Sequence, residues 1–161
     1  MFEIQKLGLS CLEATLALNN AHATETSLLE ESSLAALLKI AFYARGLDRG
    51  GAAFLIALDH KAPYENPNFN WFKQRYESFV YIDRIIVAVS ARGQGIARML
   101  YQDLFAAAEQ AGHNRVVCEI NLHPPNAASD AFHDAMGFIE VGQAAIYNGT
   151  KIVRYFERTL R

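Results

Sequence analysis

Ile85-Ile86-Val87-Ala88-Val89-Ser90-Ala91-Arg92-Gly93-Gln94-Gly95-Ile96-Ala97 is the stretch on which the fold turns. Its first five residues are apolar and rich in β-branching, as a buried strand requires. A turn with two glycines follows, and then Ile96, Leu100, Leu104, Ala107 and Ala111 recur at helical spacing up to a stop at Gly112. A strand that runs through such a turn straight into a helix leaves free backbone N–H groups and the positive end of the helix dipole facing one point, where a phosphate can sit. Glycine is required because a β-carbon would hold the phosphate off the backbone, and Arg92 adds a fixed positive charge beside it. Two familiar phosphate motifs are excluded. The dinucleotide fingerprint needs a third glycine where Arg98 stands, and the nucleotide P-loop needs a Gly-Lys-Ser/Thr that is absent.

Outward from this unit, Phe2 and Ile4 suit a short first strand, and Ser10 with Glu13 forms a capping-box pattern ahead of a short helix. Leu34, Leu37, Leu38 and Ala41 mark a second helix, and residues 42–47 and 52–58 read as strands joined through Asp48-Arg49-Gly50-Gly51. Residues 60–78 combine two prolines and three asparagines with Tyr64, Phe69, Trp71, Phe72 and Tyr76. So long an excursion is expected to be functional or to carry a helix of its own. Residues 79–89 form the central strand and 115–121 the next. Asn126 or Ser129 caps a helix ending at Gly137, and a final hairpin turns at Asn148-Gly149. The order β-α-α-β-β-β-α-β-α-β-β describes a mixed α/β sheet covered by helices.

Composition narrows the function. Of the 161 residues 52% are hydrophobic and 20% charged, which excludes a disordered chain and supports one domain with its own core. A net charge of −2 lacks the basic surface on which nucleic-acid affinity depends. No apolar run reaches the roughly 18 residues of a spanning helix, and the N-terminus lacks a signal-peptide pattern, so a cytoplasmic protein without membrane attachment is expected. Cys11 and Cys118 make neither a disulfide framework nor a metal site.

Arg92-x-x-Gly95-x-Ala97 after a strand, followed by Asn126 and Phe132-His133-Asp134-Ala135-Met136-Gly137-Phe138, resembles the two signatures of the GNAT acetyltransferase superfamily. The element order is also that superfamily's. The resemblance implies a largely antiparallel sheet of about seven strands with about four helices, splayed between the fourth and fifth strands, spanning residues 1–161. It implies acetyl-CoA as cofactor. The backbone N–H groups of Gly93, Gln94, Gly95, Ile96 and Ala97, with Arg92, would hold its pyrophosphate. The strand backbone at Ile85 and Val87 would pair with the pantetheine arm and polarise the thioester carbonyl, an oxyanion-hole role. Asn126 and Ser129 would complete the cofactor site, although Asn126 after Pro-Pro is also an ordinary helix cap.

Acetyl transfer to an amine needs a base, because an ammonium ion has no lone pair. Two carboxylates compete for that role: Asp83, expected to share a strand face with Tyr81 and Val87, and Glu119, set in the apolar run Val116-Val117-Cys118-Glu119-Ile120. His133 stands where many members of the superfamily carry the tyrosine that protonates the leaving thiolate, and is the candidate acid. Neither cysteine suits an acyl-carrying nucleophile, so direct transfer in a ternary complex is expected. The resemblance places the acceptor among Asn20, His22, Glu25, Trp71 and Tyr81, a wall suited to a small-molecule or peptide-like amine, while the same aromatics could instead cap the core. A non-catalytic acyl-CoA-binding module is the alternative, and the edge hairpin offers a surface through which a homodimer could form.

Overall fold

The computed structural model describes residues 2–22, 26–123 and 125–160. Seven strands make one sheet in the order β1-β2-β3-β4-β5-β7-β6: β1 (Gln5–Lys6), β2 (Tyr43–Leu47), β3 (Ala53–Asp59), β4 (Val80–Val87), β5 (Arg115–His123), β6 (Ile139–Ile146) and β7 (Lys151–Thr159). Neighbours run antiparallel except β4 and β5, which are parallel. Helices α1 (Leu12–Ala21), α2 (Glu31–Ile40) and α3 (Pro67–Lys73) cover one face. Helices α4 (Ile96–Gln110) and α5 (Ala127–Ala135) cover the other. On α4, Leu100 and Leu104 are fully buried, each removing apolar surface worth about 2 kcal/mol.

Parallel pairing between β4 and β5 is confined to Val80↔Val116 and Tyr81↔Val117. Beyond it the strands part, as the sequence resemblance implied. A local cause is visible in β4: opposite Ile56 and Ala57 of β3 stand Arg84 and Ile82, so Asp83 is the extra residue of a β-bulge. A bulge bends its strand and reverses the alternation beyond it. Tyr81 therefore packs with the α1–α3 face and Val87 with the α4 face, and the single face expected for Tyr81, Asp83 and Val87 does not form.

Other expectations are corrected by local chemistry. Ser10 does not cap α1: the helix enters through a 3-10 turn, Leu9–Cys11, with Cys11 at the cap position and no side-chain cap bond. The first strand lies at Gln5–Lys6 rather than around Phe2 and Ile4. The aromatic excursion carries the fifth helix, α3, with Pro67 in its first turn. The Asn66 side chain accepts from the N–H groups of Asn68 and Phe69 at 2.9 and 3.2 Å. Phe69 and Phe72 are fully buried and Tyr64, Trp71 and Tyr76 pack against them, so the aromatics of the excursion serve the core while much of its remainder is exposed.

Candidate active site

The bulge and the splay open a cleft of about 740 Å³ between β4 and β5. Ile85, Val87, Arg92, Ala97, Asn126 and Ser129 line one part of it. Tyr64, Asn66, Asn68, Tyr81, Tyr147 and Lys151 line another, with Glu119 and Asp83 also on its wall.

The β4–α4 connection has the form the sequence requires. Gly93 and Gly95 adopt φ of +78° and +76°, and nothing stands within 4 Å of a β-carbon built on either. Gly95 is the N-cap of α4, and as a glycine it offers no side-chain cap to the first-turn N–H groups. Gly93, Gln94 and Gly95 are exposed, Ile96 is buried so that only its backbone can serve, and Arg92 donates from Nε to the Val87 carbonyl at 3.2 Å. The β5-facing edge of β4 past Tyr81 has no strand partner, so an extended arm can pair there as a strand would. Asn126 caps α5, accepting from the Ser129 N–H at 3.1 Å. An uncapped helix start behind two open glycines, beside an unpaired strand edge, fits a pyrophosphate joined to an amide-bearing arm.

The two carboxylates differ sharply. Asp83 is saturated: Arg84 Nε donates to Oδ2 at 2.7 Å and the Tyr64 hydroxyl to Oδ1 at 2.6 Å, with both members of the ion pair nearly buried. Arg84 reaches on to Asn19 Oδ1 at 2.9 Å, and Asn19 and Asn20 hold the backbone at Ser27 and Leu29. The pair thus fixes the α1–α2 connection beside the cleft. Asp83→Ala leaves Arg84 buried without its counter-charge, and the expected loss is about 3–5 kcal/mol by urea denaturation. Asp83→Asn, which keeps the Tyr64 contact and much of the shape, is expected to lose less.

Glu119 accepts one hydrogen bond, from the buried Tyr81 hydroxyl, and its other oxygen has no hydrogen-bond partner among the described residues. Burial pushes its carboxyl up to about 8. The Tyr81 hydrogen bond pulls the other way, the charge of Asp83 adds to the rise, and Lys151 and Arg84 oppose it. Such a group holds a proton at neutral pH yet exchanges it with an amine at little cost.

His133 is buried on α5. Its Nδ1 lies 2.8 Å from the Ser129 carbonyl, so that nitrogen carries the hydrogen, and Nε2 accepts from the Tyr101 hydroxyl at 2.8 Å. Burial lowers its pKa, favouring the neutral ring, whose single proton is committed to a carbonyl. Tyr101, on α4, went unnoticed in the sequence because its spacing reads as core. Cys118 also lines the cleft, with burial pushing its thiol well above the usual range.

Of the acceptor residues, Tyr81 reaches the cleft. Trp71 does not: it stacks on Tyr155 at 4.1 Å with the Arg75 guanidinium 3.8 Å from its other side. Asn20 braces the α1–α2 connection, His22 is buried at the end of α1, and Glu25 lies outside the described residues. Tyr64, Asn66, Asn68, Tyr147 and Lys151 line the cleft instead, brought in by α3 with the segment leading into it and by the β6–β7 hairpin, whose place over the cleft no local pattern announces.

A seven-stranded sheet splayed at its one parallel pair, with an uncapped helix start behind two open glycines at the splay, is the architecture of the GNAT fold. Residues 64–138, just under half of the chain, match the model of the Acetyltransferase (GNAT) family, and the chain as a whole has the GNAT fold. The ribosomal-protein-S18-alanine N-acetyltransferase from Escherichia coli is similar over 99% of this chain and 94% of its own, with TM-score 0.74 and 21% identity. Arabidopsis thaliana NAA60, solved with a bisubstrate analogue, is similar over 100% and 99%, with TM-score 0.77 and 16% identity. The yncA putative acetyltransferase from Salmonella typhimurium, solved with acetyl-CoA, is similar over 100% and 95%, with TM-score 0.73 and 17% identity. At these identities the likeness is one of fold. No curated protein matches the sequence. Among the described residues no helix is long and apolar enough to cross a membrane, and no cluster of side chains suits a metal ion.

Proposed function

We propose that the protein acetylates a primary amine by direct transfer, with Glu119 as the base. The observation that carries this reading is a single carboxyl on the cleft wall with one oxygen open and its proton affinity raised to about 8. An α-amine loses its proton at roughly the same pH, so transfer from the incoming ammonium to Glu119 is close to balanced.

Acetyl-CoA supplies the activated acetyl group, and the rest falls to the chain. Backbone N–H groups of residues 93–97, with Arg92, hold the pyrophosphate, and Asn126 and Ser129 flank the arm. The free edge of β4 at Ile85 and Val87 aligns that arm and presents a donor to the carbonyl oxygen as negative charge grows on it. Asp83 serves as a positioning residue through Arg84 and the α1–α2 connection. His133, neutral and bonded at both nitrogens, orients Tyr101 rather than donating a proton. An alkyl thiolate with a pKa of roughly 8.5 is able to leave without one.

Cys118 is held protonated and carries no acyl group. Thiol release from acetyl-CoA with a panel of amines tests the reading in parent, Cys118→Ala and Glu119→Gln proteins. Cys118→Ala is expected to stay within about threefold of the parent, since it deletes one small buried group. A Cys118→Ala protein that binds acetyl-CoA but transfers nothing would replace direct transfer by an acyl-enzyme route.

A further inference from the structure

The acceptor end of the cleft holds an unbalanced positive charge. Lys151 opens β7 immediately after the β6–β7 turn, is half-buried and lines the cleft with Tyr147. It makes no ion pair among the described residues. The other formal charges there are committed. Arg84 and Asp83 neutralise each other at 2.7 Å, and Glu119 is mostly protonated at neutral pH with its carboxyl pushed up to about 8. The surrounding wall of Tyr64, Asn66 and Asn68 is polar and uncharged. A half-buried ammonium without a counter-ion is costly, and a ligand that brings the missing negative charge recovers that cost.

From this geometry we infer that the acceptor carries a carboxylate, received by Lys151, together with the amine that faces Glu119. The acceptor is then an amino acid or a peptide N-terminus with an acidic side chain close behind it, not a polyamine, whose second cation Lys151 would repel. The inference rests on the acetyl-transfer reading above and adds the substrate class. It also separates two functions that a single lysine could be thought to merge. Lys151 draws the Glu119 pKa downward for every acceptor alike, but attracts only those that carry the anion.

The test compares each acid with its own carboxamide. Alanine, β-alanine, γ-aminobutyrate and glutamate are set against their amides, and a peptide with an acidic second residue against its neutral amide counterpart. Spermidine and tyramine serve as cationic and neutral controls. The expected result is at least one acid exceeding its amide in kcat/KM by roughly tenfold or more, the scale of one charge-assisted contact. The advantage should lie mainly in KM. Lys151→Met should collapse the gap, while its KM for acetyl-CoA stays put. A gap among the free amino acids identifies a metabolite-sized acceptor, whereas one confined to the peptides identifies a protein N-terminus.

Equal rates for acids and amides, or an equal loss of both in Lys151→Met, overturn the inference and reduce Lys151 to tuning Glu119. Turnover of spermidine or tyramine but of no acid overturns it while leaving acetyl transfer intact. Acetyl-CoA binding with no turnover of any amine overturns both.

Discussion

Glu119→Gln is expected to cut kcat/KM for amine acetylation by about 10²–10³, within the range general-base catalysis supplies, while acetyl-CoA binds as before. Gln keeps the size of the side chain and can still accept from Tyr81, so the cleft should retain its shape. The pH dependence carries the finer test. The base is the ionised form, and the raised pKa means that form accumulates only as pH passes about 8. The parent's kcat/KM should therefore climb with an apparent pKa near 8, and the limb should stay there when acceptors of different amine pKa are compared. In Glu119→Gln the limb should follow the acceptor instead. A parent limb that moves with the acceptor would show that solvent, not Glu119, removes the proton.

The same shift has a stability sign. The folded state raises the Glu119 pKa from 4.5 to about 8, so it binds the proton more tightly than the unfolded chain does. Below pH 4.5 both states are protonated and nothing is lost. Between about 4.5 and 8 the unfolded state ionises first and folding becomes progressively less favourable, and above 8 the penalty is complete. The Tm difference between Glu119→Gln and the parent should thus grow in the variant's favour from pH 5 to pH 9.

The glycine turn proposed to hold the phosphate was legible in the sequence because it is local: strand, turn and helix are consecutive, and positive φ at Gly93 and Gly95 is a property of those residues. Glu119 and Asp83 were legible as carboxylates in apolar strands. Their different surroundings were not, since these depend on a bulge that places Asp83 with Arg84 and Tyr64, a register feature of β3 against β4. Trp71 misled because an aromatic in a polar excursion looks like a binding wall. Its true partner, Tyr155, lies 84 positions along the chain in β7. Lys151 and Tyr147 were missed for the same reason, as a hairpin tip shows its place over the cleft only after the sheet has closed in the order β5-β7-β6.

Gly95→Val should abolish saturable acetyl-CoA binding, raising the dissociation constant by at least about a hundredfold, with little loss of the fold. Two effects act together. Gly95 holds φ of +76° as the N-cap of α4, a left-handed conformation that costs an L-residue about 1–2 kcal/mol and a β-branched one more. The space around it is open, so a side chain meets no protein atom and projects instead into the region where the pyrophosphate must approach the backbone. The first effect destabilises slightly. The second acts on the ligand alone, because a phosphate kept from several N–H groups loses several charge-assisted bonds at once. Gly112→Val separates the two, since Gly112 also has positive φ, at 86°, with nothing within 4 Å, but ends α4 far from the cradle. It should lower Tm by a similar amount and leave the calorimetric acetyl-CoA isotherm unchanged. If both valine variants weaken acetyl-CoA equally, backbone strain and not steric exclusion governs binding, and the cradle loses its assigned role.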